Sequence, residues 1–173
     1  MRVQLEQIRL EPYRWSEVLH IPAERLDNSE IVDLGDVTWR GEIRYAAPAF
    51  RLLATVEYDQ TVRCQRCLEP VVLPERADLE LAIFEDGAEV VPGEYELDES
   101  DFGVLYVDSD VVDLEPLLIE QMQLNVPMRT VCREDCKGLC PSCGADLNAG
   151  ECGCGPPADP RWAELERLRS RLR

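Results

Sequence analysis

The segment VTWRGEIRYAAPAFRLLATVEY, residues 37–58, contains two runs in which non-polar and polar side chains alternate. The non-polar positions are Val37, Trp39, Gly41, Ile43 and Tyr45 in the first run and Leu52, Ala54, Val56 and Tyr58 in the second. Alternation with a period of two predicts β-strands that bury one face of a sheet. Residues 46–49 join the two runs, and so short a connection favours antiparallel pairing.

The predicted sheet extends to either side of this segment. A third alternating run comprises Ala77, Leu79, Leu81 and Ile83, and Val3 and Leu5 could open a further strand. We therefore expect an antiparallel, barrel-like β-sheet core with one solvated face. Residues 86–109 are acidic and rich in turn-forming residues, which predicts a loop or a weakly ordered insertion.

A short helix is predicted near residues 113–124. Asp113 suits the N-cap, and Glu115 and Pro116 suit the first turn. Pro127 is expected to stop the helix. The non-polar face, which we interpret as core packing, comprises Leu114, Leu117, Leu118, Ile119 and Met122.

Four of the eight cysteines lie close together with the spacing C-x2-C-x8-C-x-C: Cys140, Cys143, Cys152 and Cys154. The first two belong to a Cys-Pro-Ser-Cys-Gly turn whose backbone amides can bond to sulfur, and its glycine can adopt positive φ. Two close pairs provide the four thiolates that a tetrahedral Zn²⁺ needs at about 2.3 Å. The spacing matches neither ferredoxin pattern. The sequence therefore predicts a zinc site here.

The remaining cysteines form two further pairs and predict a second four-thiolate site: Cys64, Cys67, Cys132 and Cys136. One or two zinc ions per chain are therefore expected. Two alternatives stay open, because Cys132 and Cys136 could pair with Cys140 and Cys143, or one pair could stay without metal. Disulfides are disfavoured, because closely spaced cysteines in a reducing compartment are more often metal ligands.

Residues 128–173 are expected to form a zinc-ribbon-like tail beside an acidic, β-rich domain of residues 1–127. Residues 128–155 hold six cysteines, five glycines and few large non-polar side chains, so the metal must organise them. A C-terminal helix should follow, capped by Asp159 and with Pro160 at its first position. Its non-polar side would comprise Trp162, Leu165, Leu168 and Leu172. The fold class is α+β.

The charge is unevenly distributed. The chain has 35 acidic and 18 basic residues, a net charge of −17. Residues 1–127 carry 28 acids and 10 arginines, whereas residues 128–173 carry 7 acids and 8 basic residues. An acidic surface favours solubility, repels phosphate backbones and attracts basic proteins. Weak RNA contact is therefore expected from the tail, with these candidates: Arg129, Arg133, Lys137, Arg161, Arg167 and Arg169.

The sequence offers little for catalysis. Its single histidine, His20, is far from the cysteines along the chain, and it has no Gly-rich phosphate loop or nucleophile elbow. The predicted metal sites are closed and structural, and no small-molecule substrate is expected. Charged residues interrupt the N-terminal segment, so neither a signal peptide nor a membrane span is predicted. A cytoplasmic location without a membrane partner is expected.

Four segments resemble the YceD family, the large ribosomal RNA subunit accumulation proteins. They are CQRCLEP at 64–70, DLEPLLIEQ at 113–121 leading into LNVP at 124–127, CREDCKGLCPSCG at 132–144, and DPRW at 159–162. The resemblance covers about residues 37–165. It implies a bacterial cytoplasmic factor that is needed for normal accumulation of large-subunit ribosomal RNA and that supplies no catalytic residues.

The predicted function is that of a non-enzymatic, zinc-containing factor in ribosome biogenesis. Its acidic sheet would hold a basic ribosomal protein or a precursor of the large ribosomal subunit, while the tail touches RNA weakly. The alternative is a zinc-stabilised acidic adaptor that binds proteins outside ribosome assembly.

Overall fold

The computed structural model describes residues 1–85, 103–155, 161 and 168. The chain forms two compact units, one of Met1–Arg63 with Pro70–Met128 and the other of Cys64–Glu69 with Arg129–Arg173. The short loop Cys64–Glu69 therefore groups with the tail. The predicted C-terminal helix lies outside the described residues, apart from Arg161 and Leu168.

The first unit contains most of the regular structure of the described chain. Its elements are β1 Arg2–Gln4, α1 Leu5–Ile8, β2 Tyr13–Leu19, a 3-10 helix Ala23–Leu26, β3 Ile31–Leu34, β4 Val37–Ala46, β5 Ala49–Arg63, β6 Pro70–Glu85, β7 Val104–Val107, β8 Val111–Asp113 and α2 Leu114–Leu124. Strands thus dominate and helices are few, which agrees with the predicted α+β class.

A six-stranded sheet has the order β2-β4-β5-β6-β7 with β3 beside β5, and β1 pairs with β8 in a separate two-stranded sheet. The hairpins β4–β5 and β5–β6 are antiparallel, with Gly41 opposite Ala54 and Val56 opposite Ala77. The alternating runs of residues 37–58 and 77–83 are therefore confirmed as paired strands. Val3 lies in β1, but Leu5 already belongs to the helical turn α1.

Two expectations for this unit were wrong around β7. This strand lies inside residues 86–109, which were predicted to be a loop, and it pairs with β6 in parallel, with Ala82 opposite Val104. An antiparallel sheet was expected because the connection between the first two alternating runs is short. The connection from β6 to β7 covers residues 86–103, and parallel strands need a crossover of a dozen or more residues. Residues 86–102 of the predicted loop lie outside the described residues.

The core of the first unit lies between the inner face of the sheet and α2. Trp39, Phe50 and Leu52 on the sheet are buried, and so are Leu118 and Met122 on the helix. The predicted non-polar face of the helix is confirmed, although its flanking residues Leu117 and Ile119 are only partly buried. Burial of one such side chain contributes about 1.5–3 kcal/mol to stability. Among the described residues, no helix is long and non-polar enough to cross a membrane.

Helix α2 begins where the sequence predicted. Asp113 is its N-cap, and its carboxylate accepts a hydrogen bond from the backbone N–H of Glu115 at 3.2 Å. This bond lowers the pKa of Asp113. The helix ends at Leu124, three residues before Pro127.

Replacing Asp113 by Ala should destabilise the first unit by about 1 kcal/mol at pH 7, because one N–H at the helix start loses its acceptor. Asp113→Asn keeps an acceptor and should lose less. Since the folded pKa is lowered, the carboxylate stabilises the fold above its unfolded pKa, and this contribution disappears as the pH falls through the folded pKa. Urea denaturation at neutral and acid pH measures both effects. A difference in stability between the parent chain and the Asp113→Ala variant that stays unchanged in acid would contradict the assignment.

Candidate metal centres

The eight cysteines form two clusters in the second unit. One consists of Cys64, Cys67, Cys132 and Cys136, and the other of Cys140, Cys143, Cys152 and Cys154. Within each cluster all four sulfur atoms lie within 4.8 Å of one another. We call these clusters the first and second quartets. This grouping is the two-site pairing predicted from the sequence, and it differs from the alternative in which Cys132 and Cys136 join Cys140 and Cys143.

The sulfur separations of the first quartet suit a central ion. The Sγ atoms of Cys64 and Cys136 are 3.9 Å apart, and those of Cys67 and Cys132 are 3.6 Å apart. A disulfide would need about 2.0 Å. Four thiolates at about 2.3 Å from a tetrahedral ion would be about 3.8 Å from one another. All eight thiols are free, so both quartets could hold a metal ion.

Each quartet is built on a Cys-x-x-Cys turn, and the two turns share one hydrogen-bond pattern. In the first turn the N–H of Cys64 donates to the carbonyl of Glu69 at 2.8 Å, and the N–H of Leu68 donates to the carbonyl of Cys64 at 2.9 Å. In the second turn Cys140 N–H donates to Ala145 O, and Gly144 N–H to Cys140 O, both at 2.8 Å. The offsets along the chain are identical, so the two turns are the same local structure formed twice.

Each turn also lowers the pKa of its first cysteine, which favours the thiolate. Burial opposes ionisation of Cys64, but backbone N–H groups of Cys67, Cys132 and Arg66 donate to its sulfur and lower its pKa to about 6. The N–H groups of Ser142 and Cys143 likewise lower the pKa of Cys140 to about 6.

In the same quartet the pKa of Cys132 is shifted in the opposite direction. Desolvation, followed by hydrogen bonds with the thiols of Cys67 and Cys136, raises the pKa of Cys132 to about 12. Four thiolates this close together repel one another unless a cation lies among them. Metal binding should therefore release protons, and it should weaken as the pH falls.

The fifth residue of each turn adopts the left-handed conformation. Gly144 has φ +73°, as predicted for the glycine of this turn, whereas the equivalent residue of the first turn is Leu68 with φ +63°. A side chain in this conformation costs about 1 kcal/mol or more. Leu68 is 55% exposed, so little packing offsets this cost.

Replacing Leu68 by Gly is therefore expected to stabilise the second unit by about 0.5–1 kcal/mol, because glycine adopts positive φ without the Cβ penalty. Zinc retention against a chelator should improve at the same time. Chemical denaturation of the metal-loaded chain, with Leu10→Gly as a control at another exposed leucine, measures the effect. A Leu68→Gly protein less stable than the parent chain would show that Leu68 makes contacts that outweigh its strain.

Arg66, between the two cysteines of the first turn, connects that turn to the tail segment of the same unit. Its guanidinium donates to the carbonyls of Glu134 at 3.1 Å and Cys136 at 2.7 Å. Its own carbonyl accepts the N–H of Leu139 at 3.0 Å. The first turn is therefore held against residues 134–139 by two side-chain bonds and one backbone bond of Arg66.

Asn148 links the two quartets. Its side-chain NH₂ lies 3.6 Å from the sulfur of Cys136, and its side-chain oxygen accepts the N–H of Lys137 at 2.8 Å. Asn148 itself lies in the eight-residue spacer of the second quartet. Sequence reasoning assigned no role to Arg66, Gly138 or Asn148. Only the position of Arg66 inside a Cys-x-Arg-Cys motif was a signal for any of them.

The quartets differ in exposure but not in ligand chemistry. In the first quartet only Cys132 is exposed, whereas in the second both Cys143 and Cys154 are exposed. Neither quartet includes a histidine or carboxylate among the described residues. Four sulfur ligands suit Zn²⁺ or an iron–sulfur cluster, and a closed set leaves no open position for substrate. His20 and Asp36 both belong to the first unit, where His20 Nδ1 lies 3.8 Å from Asp36 Oδ1 and the His20 side chain is 80% exposed.

The structure describes four of the six candidate RNA contacts. Arg129, Arg133, Lys137 and Arg161 are exposed, and Arg133 forms an ion pair of 3.4 Å with Asp135. Arg167 and Arg169 lie outside the described residues. These residues remain predicted contacts.

Comparison with known proteins places these motifs in a family. A family model described as Large ribosomal RNA subunit accumulation protein YceD matches residues 52–169, which include all eight cysteines. An uncharacterized protein of Mycobacterium tuberculosis is 36% identical over 114 residues, which are 66% of this chain and 53% of that protein. The chain thus spans about half the length of that relative. No solved structure matches the chain.

Two further relatives extend the comparison. The uncharacterized protein YlbN of Bacillus subtilis is 27% identical over 168 residues, covering 95% of this chain and 92% of that protein. A chloroplastic protein of Zea mays, named Large ribosomal RNA subunit accumulation protein YCED homolog 1, is 27% identical over 119 residues, covering 56% of this chain and 41% of that protein.

Proposed function

Since this chain belongs to the YceD family of large ribosomal RNA subunit accumulation proteins, we propose that it is a non-enzymatic factor in ribosome biogenesis that binds zinc in both quartets. The proposal depends on one observation: the residues that match the family model include both cysteine quartets. The matched residues 52–169 contain both quartets, so all eight cysteines belong to the part of the chain that the family model covers.

Zinc is the proposed metal because the ligands are thiolates alone. Zn²⁺ prefers tetrahedral sulfur ligands in structural sites, and C-x2-C-x8-C-x-C does not have ferredoxin spacing. Around the first two cysteines of the second quartet, the N–H of Leu147 donates to the carbonyl of Gly138 at 2.9 Å. This bond lies beside the antiparallel bridge between Leu139 and Asp146. A short hairpin with a Cys-x-x-Cys turn at its tip supports the proposed zinc-ribbon character of the tail.

The zinc ions would organise the second unit and take no part in a reaction. This unit holds few large buried non-polar side chains among its described residues, so the metal must provide much of its stability. The Cys-rich tail, residues 128–173, would then be a unit that zinc keeps folded, distinct from the acidic domain of residues 1–127. Its exposed basic residues Arg129, Arg133 and Lys137 are the proposed weak contacts with RNA.

The proposed partner is a precursor of the large ribosomal subunit or a basic ribosomal protein within it, in the cytoplasm. Support comes from the name of the family and from the net charge of −17, which attracts basic proteins. A chain this acidic is expected to bind isolated RNA weakly and with strong dependence on salt.

Depletion of the protein in its host should lower mature large-subunit ribosomal RNA relative to small-subunit RNA, as measured on sucrose gradients and by RNA blotting. The tagged protein should sediment with large-subunit precursors. A chain with Ser in place of Cys64, Cys67, Cys132 and Cys136 should fail to restore the RNA. Normal ribosomal RNA after depletion, together with a stable partner unrelated to ribosomes, would instead favour a zinc-stabilised acidic adaptor.

A further inference from the structure

The outer face of the sheet gathers most of the arginines of an otherwise acidic unit. We call the outward side chains of β2, β4, β5 and β6 the sheet face. Among the described residues of Met1–Arg63 and Pro70–Met128, it carries six of the nine arginines but only five of the 20 carboxylates. The arginines are Arg14, Arg40, Arg44, Arg51, Arg63 and Arg76, and the carboxylates are Glu42, Glu57, Asp59, Asp78 and Glu80.

Most carboxylates of the sheet face are neutralised within it. Glu42 pairs with Arg14, and Glu57 accepts from Arg40 at 3.0 Å and from Arg76 at 2.9 Å. Asp78 lies 3.5 Å from Arg76. The sheet face is therefore close to neutral, whereas the other described residues of this unit carry 15 carboxylates and three arginines.

Three arginines of the sheet face, Arg44, Arg51 and Arg63, have no side-chain partner among the described residues, and the first two are neighbours. Arg44 on β4 lies directly opposite Arg51 on β5, and both are exposed. Within the described part of the chain, neither side chain has an ion pair or hydrogen bond. Like charges directly opposite each other on a sheet are destabilising. Two unpaired guanidinium groups can instead bind phosphate oxygens, for which their planar set of donors is suited.

A groove lies beside this arginine pair on the same face. It has a volume of about 710 Å³, and its lining includes the polar residues Ser16 and Thr55, the non-polar Leu53, and both charges of the sheet face: Arg14, Arg40, Glu42, Asp78 and Glu80. Leu53 is two residues from Arg51 on β5 and is 41% exposed. Hydroxyl groups beside an exposed non-polar side chain suit a ribose, whose 2′-OH both donates and accepts hydrogen bonds.

We propose that the sheet face is an RNA-docking surface on which Arg44 and Arg51 bind the phosphate backbone and the neighbouring groove takes sugar and base. This inference rests on the proposed function, because RNA is chosen over an acidic protein on the basis of the family. Charge complementarity supports the location. Phosphates can approach the nearly neutral sheet face at the neighbouring cations Arg44 and Arg51, whereas the other described residues of this unit are mostly acidic and repel them.

The test is filter binding of the full, zinc-loaded chain to bacterial large-subunit ribosomal RNA transcribed in vitro. Loss of two phosphate contacts in an Arg44→Gln, Arg51→Gln variant should weaken binding about tenfold or more at 100 mM salt, and it should flatten the salt dependence by about 1.4 in slope. The matched control, Arg2→Gln with Arg25→Gln, removes the same charge from positions off the sheet face. It should change the affinity less than about twofold.

Thermal denaturation separates docking from folding. The Arg44→Gln, Arg51→Gln variant should be at least as stable as the parent chain, because a like-charge pair has been removed. Equal weakening in both double variants would overturn the proposal. The proposal would also be overturned if RNA binding were lost in an Arg129→Gln, Arg133→Gln, Lys137→Gln variant but not in the Arg44→Gln, Arg51→Gln variant. That result would assign the RNA contact to the tail. Binding of an acidic protein in place of RNA at the sheet face would overturn the proposal as well.

Depletion in the host distinguishes this inference from the proposed function. If depletion lowers large-subunit RNA but the arginine variant restores it fully and binds RNA normally, the docking surface is wrong and the proposed function stands. If depletion leaves ribosomal RNA unchanged, the proposed function itself fails.

Discussion

A Cys136→Ser variant is expected to bind one zinc ion per chain, and the parent chain is expected to bind two. Cys136 is 3% exposed and its sulfur lies 3.9 Å from that of Cys64, so serine would leave the first quartet with three thiolates. Apparent binding energies of structural zinc sites are about 10–16 kcal/mol near neutral pH, and this energy stabilises the folded state. Elemental analysis of the dialysed chain measures the stoichiometry directly.

Loss of this ion should also unfold part of the second unit. The first quartet joins residues far apart along the chain, since Cys67 and Cys132 are 65 positions apart, whereas the second quartet closes a local segment. Closing the longer loop costs more entropy, so the metal is needed more there. Backbone hydrogen exchange of residues 129–140 should accelerate by about a hundredfold, equivalent to about 2.7 kcal/mol of lost protection.

A Cys154→Ser variant is the matched comparison for the second quartet. It should also lose one zinc ion, but residues 64–69 should keep their protection, because the first quartet remains complete. Ser142→Ala, in the turn between two ligands, should keep both ions. A parent chain with a single zinc ion and freely alkylated Cys64 and Cys67 would refute the two-site assignment.

Replacing Gly138 by Ala should destabilise the second unit by about 2–3 kcal/mol, from the strain of a side chain at positive φ and from overpacking. Gly138 has φ +74°, and a Cβ there would lie 2.8 Å from the carbonyl oxygen of Arg66. That oxygen accepts the N–H of Leu139, while Gly138 O accepts the N–H of Leu147. The backbone therefore cannot move aside without breaking bonds on both sides. Denaturation of the zinc-loaded chain measures the loss.

The chain provides controls that separate the two causes. Gly144 has nearly the same conformation, φ +73°, but a Cβ there would meet no atom within 4 Å. Gly144→Ala should therefore show the conformational cost alone, about 1 kcal/mol. Gly150 has neither positive φ nor a close neighbour, and Gly150→Ala should be nearly neutral. Equal losses at positions 138 and 144 would contradict a steric role for the contact with Arg66.

Local patterns in the sequence predicted the elements whose physics is local. The alternation from Val37 to Tyr58 predicted two strands because successive side chains of a strand point to opposite faces. Asp113 predicted a helix start because its carboxylate can accept a hydrogen bond from an N–H group at the start of the helix. Cysteine spacing predicted the second quartet because short spacings bring its thiols to one ion, whereas for the first quartet it gave two separate pairs and left the alternatives open until the tertiary structure brought the pairs together. Strands β2 and β3 were not predicted, since Glu17 interrupts the alternation within Tyr13–Leu19 and Ile31–Leu34 is too short to show a period.

Features that depend on distant parts of the chain were decided only by the tertiary structure. The parallel pairing of β7 and the bonds from Arg66 to residues 134–139 join segments that no local pattern relates. The same holds for the sheet face. Its arginines are scattered from Arg14 to Arg76 along the sequence, and the chain as a whole is strongly acidic. Strand register brings them onto one surface, because each residue's neighbours across a sheet are set by pairing and not by sequence distance.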